Sequence, residues 1–192
     1  MTTYQLITQA IGLLATAIVV SSFQIKSPRG TFVLMSFSFI CFTAHYFMLG
    51  SLAGALQNFL SLVRNICILA FPKDSRAGRI SKIAVLAAIS SIPFVELLVP
   101  ALPFSPWDFL VVPATAIGSA IFWTSDAKKI RVAQFCILSP AWLTYNIVFG
   151  SIPGIATECF NLASVALSSV RMKCDEKKKL KELSEAADDG RK

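Results

Sequence analysis

Apolar stretches of about twenty residues alternate along this chain with short polar connections. Leu6–Phe23 and Phe32–Leu49 contain no Asp, Glu, Lys or Arg. About 20 apolar residues cross a ~30 Å hydrocarbon core as a helix, and a helix satisfies its own backbone hydrogen bonds where water is absent. Charges, prolines and glycines divide the chain into seven spans, at about 5–23, 31–49, 51–71, 82–100, 107–124, 131–149 and 151–171. The first has no basic leading segment and no small-x-small cleavage site, so it is expected to be a retained span. The predicted class is an all-α membrane protein with seven transmembrane helices.

The connections differ in charge. Those after spans one, three and five hold Lys26 and Arg29, then Lys73, Arg76 and Arg79, then Lys128 and Lys129. Those after spans two, four and six hold Gly50-Ser51-Leu52, Pro100 to Pro106, and Gly150 to Gly154, without a base. Of the 18 lysines and arginines, every one but Arg64 falls beside a basic loop or in the C-terminal tail. Cytoplasmic loops collect such bases, which predicts an outside N-terminus and a cytoplasmic C-terminus. The net charge of +7 is therefore read as topology and affinity for anionic lipid, not as a nucleic-acid surface. Composition agrees: 15% of residues are charged, against about 25% in soluble proteins. Five cysteines without CxxC spacing read as buried apolar side chains, not as a disulfide framework.

The chain also resembles itself. Ala15-Thr16-Ala17-Ile18 recurs as Ala114-Thr115-Ala116-Ile117, and Gly50-Ser51-Leu52-Ala53-Gly54 as Gly150-Ser151-Ile152-Pro153-Gly154. The offsets are 99 and 100 residues. A second copy of three spans would be inverted in the membrane unless one further span intervened. Span four supplies that inversion and predicts two parallel three-helix bundles joined by a linker helix. The expected divisions are 1–72 for the first bundle, 73–105 for the basic loop, linker helix and outer loop, 106–172 for the second bundle, and 173–192 for a polar cytoplasmic tail.

Polar side chains inside spans are the candidate site. At about 100° per residue, Gln57, Ser61 and Arg64 share one face of span three, with Asn58 and Asn65 on its shoulder. Span seven carries Thr157, Asn161, Ser164 and Ser168 on the equivalent face, with Glu158 on the shoulder. Two such stripes can line a shared cavity; they can equally be packing glue between helices. Arg64 can snorkel to the inner face or lean towards Glu158, about 9 Å away in depth. His45 and Glu96 lie near outer helix ends, where an interfacial hydrogen bond or contact with water accounts for them. Asp108 reads as a favourable charge at a helix start, and Pro113 and Pro140 as kinks.

The 3+1+3 arrangement resembles the SWEET proteins and the wider PQ-loop group, although Phe23-Gln24 stands where that group has Pro-Gln. The stretch His45-Tyr46-Phe47-Met48-Leu49-Gly50 with Arg64, and Asn146, Gly150-Ser151-Ile152, Gly154 and Glu158, resemble the two hairpins of the YgjV-type family of bacterial inner membrane proteins. That resemblance covers most of residues 5–172 and implies inner-membrane location and fold, but no catalytic residue. The candidate substrate-binding residues are Gln57, Asn58, Ser61, Arg64, Asn146, Thr157, Glu158 and Asn161. No phosphate loop, HExxH, GxSxG or multi-histidine cluster occurs, so no enzyme, metal or cofactor is expected. The expected function is a small-solute transporter or facilitator with a site between the bundles. The alternative is a non-transporting subunit that binds a partner or senses a signal. The expected partners are the lipid bilayer and a small-molecule solute, and self-association into a homo-oligomer is compatible with the sequence.

Overall fold

The computed structural model describes residues 2–167, apart from positions 23, 26, 100, 101 and 125. The expected tail at 173–192, Ser168 and Cys174 lie outside the described residues. The helices are α1 (Thr3–Ser22), α2 (Pro28–Met48), α3 (Leu52–Ala70), α4 (Arg76–Leu98), α5 (Asp108–Phe122), α6 (Ala127–Ala133), α7 (Ser139–Val148) and α8 (Ile152–Leu167). A π-helical turn, Gln134–Leu138, joins α6 to α7. Among the described residues there is no strand.

Five helical segments are long and apolar enough to cross a membrane: Thr3–Ser22, Arg29–Met48, Leu52–Ala70, Arg76–Leu98 and Lys129–Phe149. Two further apolar helices, Asp108–Phe122 and Ile152–Leu167, are shorter. At 1.5 Å per residue their described lengths fall short of a ~30 Å core. Side-chain partition is the reverse of a water-soluble protein's. Thr8, Ser38, His45, Gln57, Asn65, Ser119 and Asn146 are buried, while Leu14, Phe37, Ile40, Phe59, Ile66, Ile83 and Leu97 are exposed. Polar groups face one another and apolar groups face outward, as a bilayer solvent requires.

Several helices begin earlier than their charges suggested. Ser75 caps α4 by accepting a hydrogen bond from the Gly78 N–H (2.9 Å), so the helix starts at Arg76 and not near 82. The Asp126 carboxylate likewise accepts from the Lys129 N–H (3.1 Å) at the head of α6. Bases mark where a helix leaves hydrocarbon; a cap marks where it starts. Pro113 lies within α5. Pro140 opens α7 behind the π-helical turn, where the Ser139 N–H reaches the Gln134 carbonyl. The missing proline N–H and the extra residue in that turn account for the irregularity at one place.

α2 packs on α1 and α3, and α4 on α3 and α5; α5 also contacts α3, α6 and α7. One apolar cluster joins Ala15, Val19, Phe42, Tyr46, Ala55, Val111 and Tyr145 from five helices. A second holds α4 to its neighbours through Ala53, Val85, Ile89, Ile92, Val112 and Trp123. Gly50 (φ 78°) and Gly150 (φ 66°) turn the chain between α2 and α3 and between α7 and α8, in a conformation glycine adopts without strain.

Candidate functional site

Both glycine turns lie at one end of the bundle, and a hydrogen-bonded hub ties them together. His45 is fully buried; its Nδ1 lies 2.8 Å from the Thr8 carbonyl and its Nε2 2.8 Å from Ser151 Oγ. Across the hub, the Tyr145 hydroxyl donates to Asp108 Oδ1 (2.8 Å) and lies 2.7 Å from Ser51 Oγ. The two triads are reciprocal. Adding 100 residues to Thr8, His45 and Ser51 gives Asp108, Tyr145 and Ser151, and each copy's aromatic residue reaches the serine of the other. Between them Tyr46 donates to Asn146 Oδ1, again across 100 residues. Ser51 and Ser151 each also accept from the N–H three residues on, at Gly54 and Gly154 (3.1 Å both).

Close backbone approach permits the hub. A Cβ on Gly154 would collide with Asn146 and Ser151, one on Gly54 with Ser51 and Tyr46, and one on Gly12 with Pro153 and the His45 ring. Small residues are what allow helices in a membrane to come this near. Thr16 completes the α1–α8 contact through Thr157 Oγ1 (2.8 Å).

Beyond the hub a cavity of about 320 Å³ opens, within the size range of small-molecule sites. Its wall contains pairs of positions 100 residues apart: Thr31 and Arg131, Phe42 and Trp142, Tyr46 and Asn146, Asn58 and Glu158, Ser61 and Asn161. Arg64, Thr115, Gln134 and Thr157 also reach it. The wall stops at Tyr46 and Asn146 towards the glycine turns. In the other direction it reaches Thr31, Ile130 and Arg131, beside the basic connections.

Seven of the eight candidate residues therefore meet at one space: Asn58, Ser61, Arg64, Asn146, Thr157, Glu158 and Asn161. Gln57 does not line it. Its side chain is wholly buried, and neither amide atom has a hydrogen-bond partner. Arg64 neither snorkels nor pairs with Glu158. It is 3% exposed and donates to Ser119 Oγ (3.0 Å) and Asn65 Oδ1 (3.1 and 3.3 Å). Glu158 instead accepts from Asn161 Nδ2 (3.3 Å). Glu96 does not reach water; it is buried close to Asp108.

The hub triads were not anticipated, nor the aromatic wall of Phe39, Phe42, Tyr46, Phe122 and Trp142. A signal for the hub existed in the polar pairs His45/Tyr145 and Thr8/Asp108 at the repeat offset. No comparable signal marks the aromatic wall, because such residues read equally as core.

A family model described as Imp-YgjV, bacterial inner membrane protein, matches residues 6–176. No curated protein and no solved structure matches the chain.

Proposed function

This chain belongs to the Imp-YgjV family of bacterial inner membrane proteins, and on that premise we propose that it moves a small solute across the inner membrane by way of the central cavity. The observation that carries the proposal is the cavity itself: its polar side chains come from both halves of the chain at matching positions. The architecture proposed with it is seven spans, as two parallel three-helix copies with α4 as the linker, in the manner of SWEET proteins. The reciprocal triads support a twofold relation between the copies. Both glycine turns at one end support a parallel relation, since inverted copies would place them at opposite faces. The hub then closes the outer end, and the cavity faces the basic, cytoplasmic end. A site at the interface of two repeats, shut on one side, is what alternating access requires. In this reading the protein is no enzyme; its chemistry is binding and release.

The test is complementation. A deletion strain is expected to show a changed metabolite profile that the intact protein restores and Ser61→Trp does not. The indole would occupy the cavity from a wall position that is serine in the native protein. Restoration by Ser61→Trp protein present at normal level in the membrane would overturn transport and favour a partner-binding or sensing subunit.

Orientation has its own test. A reporter active only in the cytoplasm is expected to be active when fused after Lys192 and silent when inserted at Gly50. The reverse result would refute an outside N-terminus.

A further inference from the structure

The ionisable groups of the cavity wall are not treated alike by the protein. Glu158 has a partner of its own in Asn161. Arg64 is almost fully buried, yet among the described residues no carboxylate lies at ion-pair distance from it. A guanidinium carries five N–H donors and no acceptor. Nε and one Nη donate to the single oxygen of Asn65, and the other Nη donates to Ser119. Among the described residues, one hydrogen on each Nη is left without a protein acceptor. The rings of Phe122 and Phe39 lie 4.6 and 5.7 Å from the guanidinium carbon. They hold the cation by its faces and supply no counter-charge.

A buried cation without an anion is costly, and the neutral acceptors here position the guanidinium without neutralising it. Position 164, the counterpart of Arg64, is serine, so this charge belongs to one half of the chain only. Arg131 also reaches the wall. Phe39, Phe42, Tyr46, Phe122 and Trp142 give the wall an aromatic part beside its neutral polar side chains.

We propose that the solute is a small organic anion, a carboxylate or phosphate ester on an apolar or aromatic body, whose two oxygens take the unused Nη hydrogens of Arg64. Paired oxygens match a guanidinium fork, and the body stacks among Phe42, Tyr46 and Trp142. The inference rests on the cavity being a solute site.

The full chain in dodecylmaltoside is titrated with benzoate, phenyl phosphate, neutral benzamide and cationic benzamidine, read by the fluorescence of the cavity tryptophan, Trp142. At least one of the two anions is expected to bind on the order of tenfold more tightly than benzamide. Arg64→Gln should erase that preference. Arg64→Lys, charged but unforked, should keep part of it and serves if the glutamine variant does not fold. Equal affinity for the anions and benzamide, or a preference for benzamidine, overturns the inference. Nanodiscs separate the sources of the anion: if phosphatidylglycerol, but not phosphatidylcholine, displaces the bound anion, the site holds a lipid headgroup and the solute assignment is overturned. Ser61→Cys, in a background without native cysteines, separates the two levels of the argument. If it is labelled by a methanethiosulfonate reagent and no anion binds, the site stands and its charge preference falls. If it is not labelled and no anion binds, the transport reading falls as well.

Discussion

Gly154→Leu is expected to cost most of the folded protein. A Cβ at this position already overlaps Asn146 and comes within 2.6 Å of Ser151 Oγ. Neither neighbour is free to move: Asn146 holds Tyr46, and Ser151 holds His45. Two effects contribute, and their sizes differ. Hydrogen bonds between membrane helices average about 0.6 kcal/mol, so breaking two of them is a minor loss. Forcing a branched side chain into a packed interface costs about 1–3 kcal/mol or more. The steric part dominates, and the total approaches about 3–5 kcal/mol, a large share of a typical 5–15 kcal/mol stability. Heating followed by size-exclusion chromatography in detergent should show a midpoint lower by about 10 °C or more, at ~2–4 °C per kcal/mol for a chain of this length. Tyr46→Phe, which removes one hydrogen bond and no volume, should shift the midpoint by only about 1–3 °C. Ile152→Ala, at an exposed position, is the control. If Gly154→Leu shifts the midpoint no more than Tyr46→Phe does, α8 is not closely packed against Asn146 and Ser151 at the hub.

The sequence made the polar stripes legible because polar residues inside apolar spans have few places to go. A polar stripe fixes a face and not the space in front of it. Asn58, Ser61 and Arg64 line the cavity, whereas Gln57 shares their face but is packed shut. Helical spacing cannot separate those outcomes, since both depend on what the facing helix presents. Arg64 lines the cavity as its stripe implies, but the suggested pairing with Glu158 is absent for a related reason. Its expected partner was chosen by charge and depth, but Ser119 on α5 and the adjacent Asn65 lie closer. Neutral acceptors leave no mark in a charge pattern. Helix starts were missed by several residues at α4 and α6, because Ser75 and Asp126 cap helices that extend beyond the apolar stretch. The repeat offset carried more information than its short motifs suggested. It relates His45 to Tyr145 and Ser51 to Ser151, and across the hub His45 reaches Ser151 while Tyr145 reaches Ser51, although the first pair has changed residue type.

Glu158→Gln is expected to leave the folded protein intact while reducing solute movement by at least about tenfold, equivalent to about 1.4 kcal/mol. The structural part of the expectation follows from shape. Glutamine keeps the volume of the side chain and an oxygen that can accept from Asn161 Nδ2, the contact Glu158 makes now. The thermal midpoint should therefore stay within about 2–4 °C of the native value, a change of less than about 1 kcal/mol. The functional part follows from charge. Glu158 is 9% exposed and lines the cavity at the position matching Asn58, so the repeat has put an ionisable group in one half where the other has an amide. A carboxyl can exchange a proton with the cavity as its occupant and exposure change; an amide cannot. If movement of the solute is tied to that exchange, glutamine slows it, and Glu158→Asp, shorter but ionisable, retains more activity than Glu158→Gln. Both variants are read in the deletion strain by the metabolite profile, with membrane levels matched by immunoblot. A Glu158→Gln protein that restores the profile fully would make this carboxyl a packing group and move the search for coupling elsewhere. The buried Glu96 and Asp108 beside the hub would be the next place to look. There Asp108 already accepts a hydrogen bond from Tyr145, which in turn reaches Ser51, so a change of protonation would act directly on the hub.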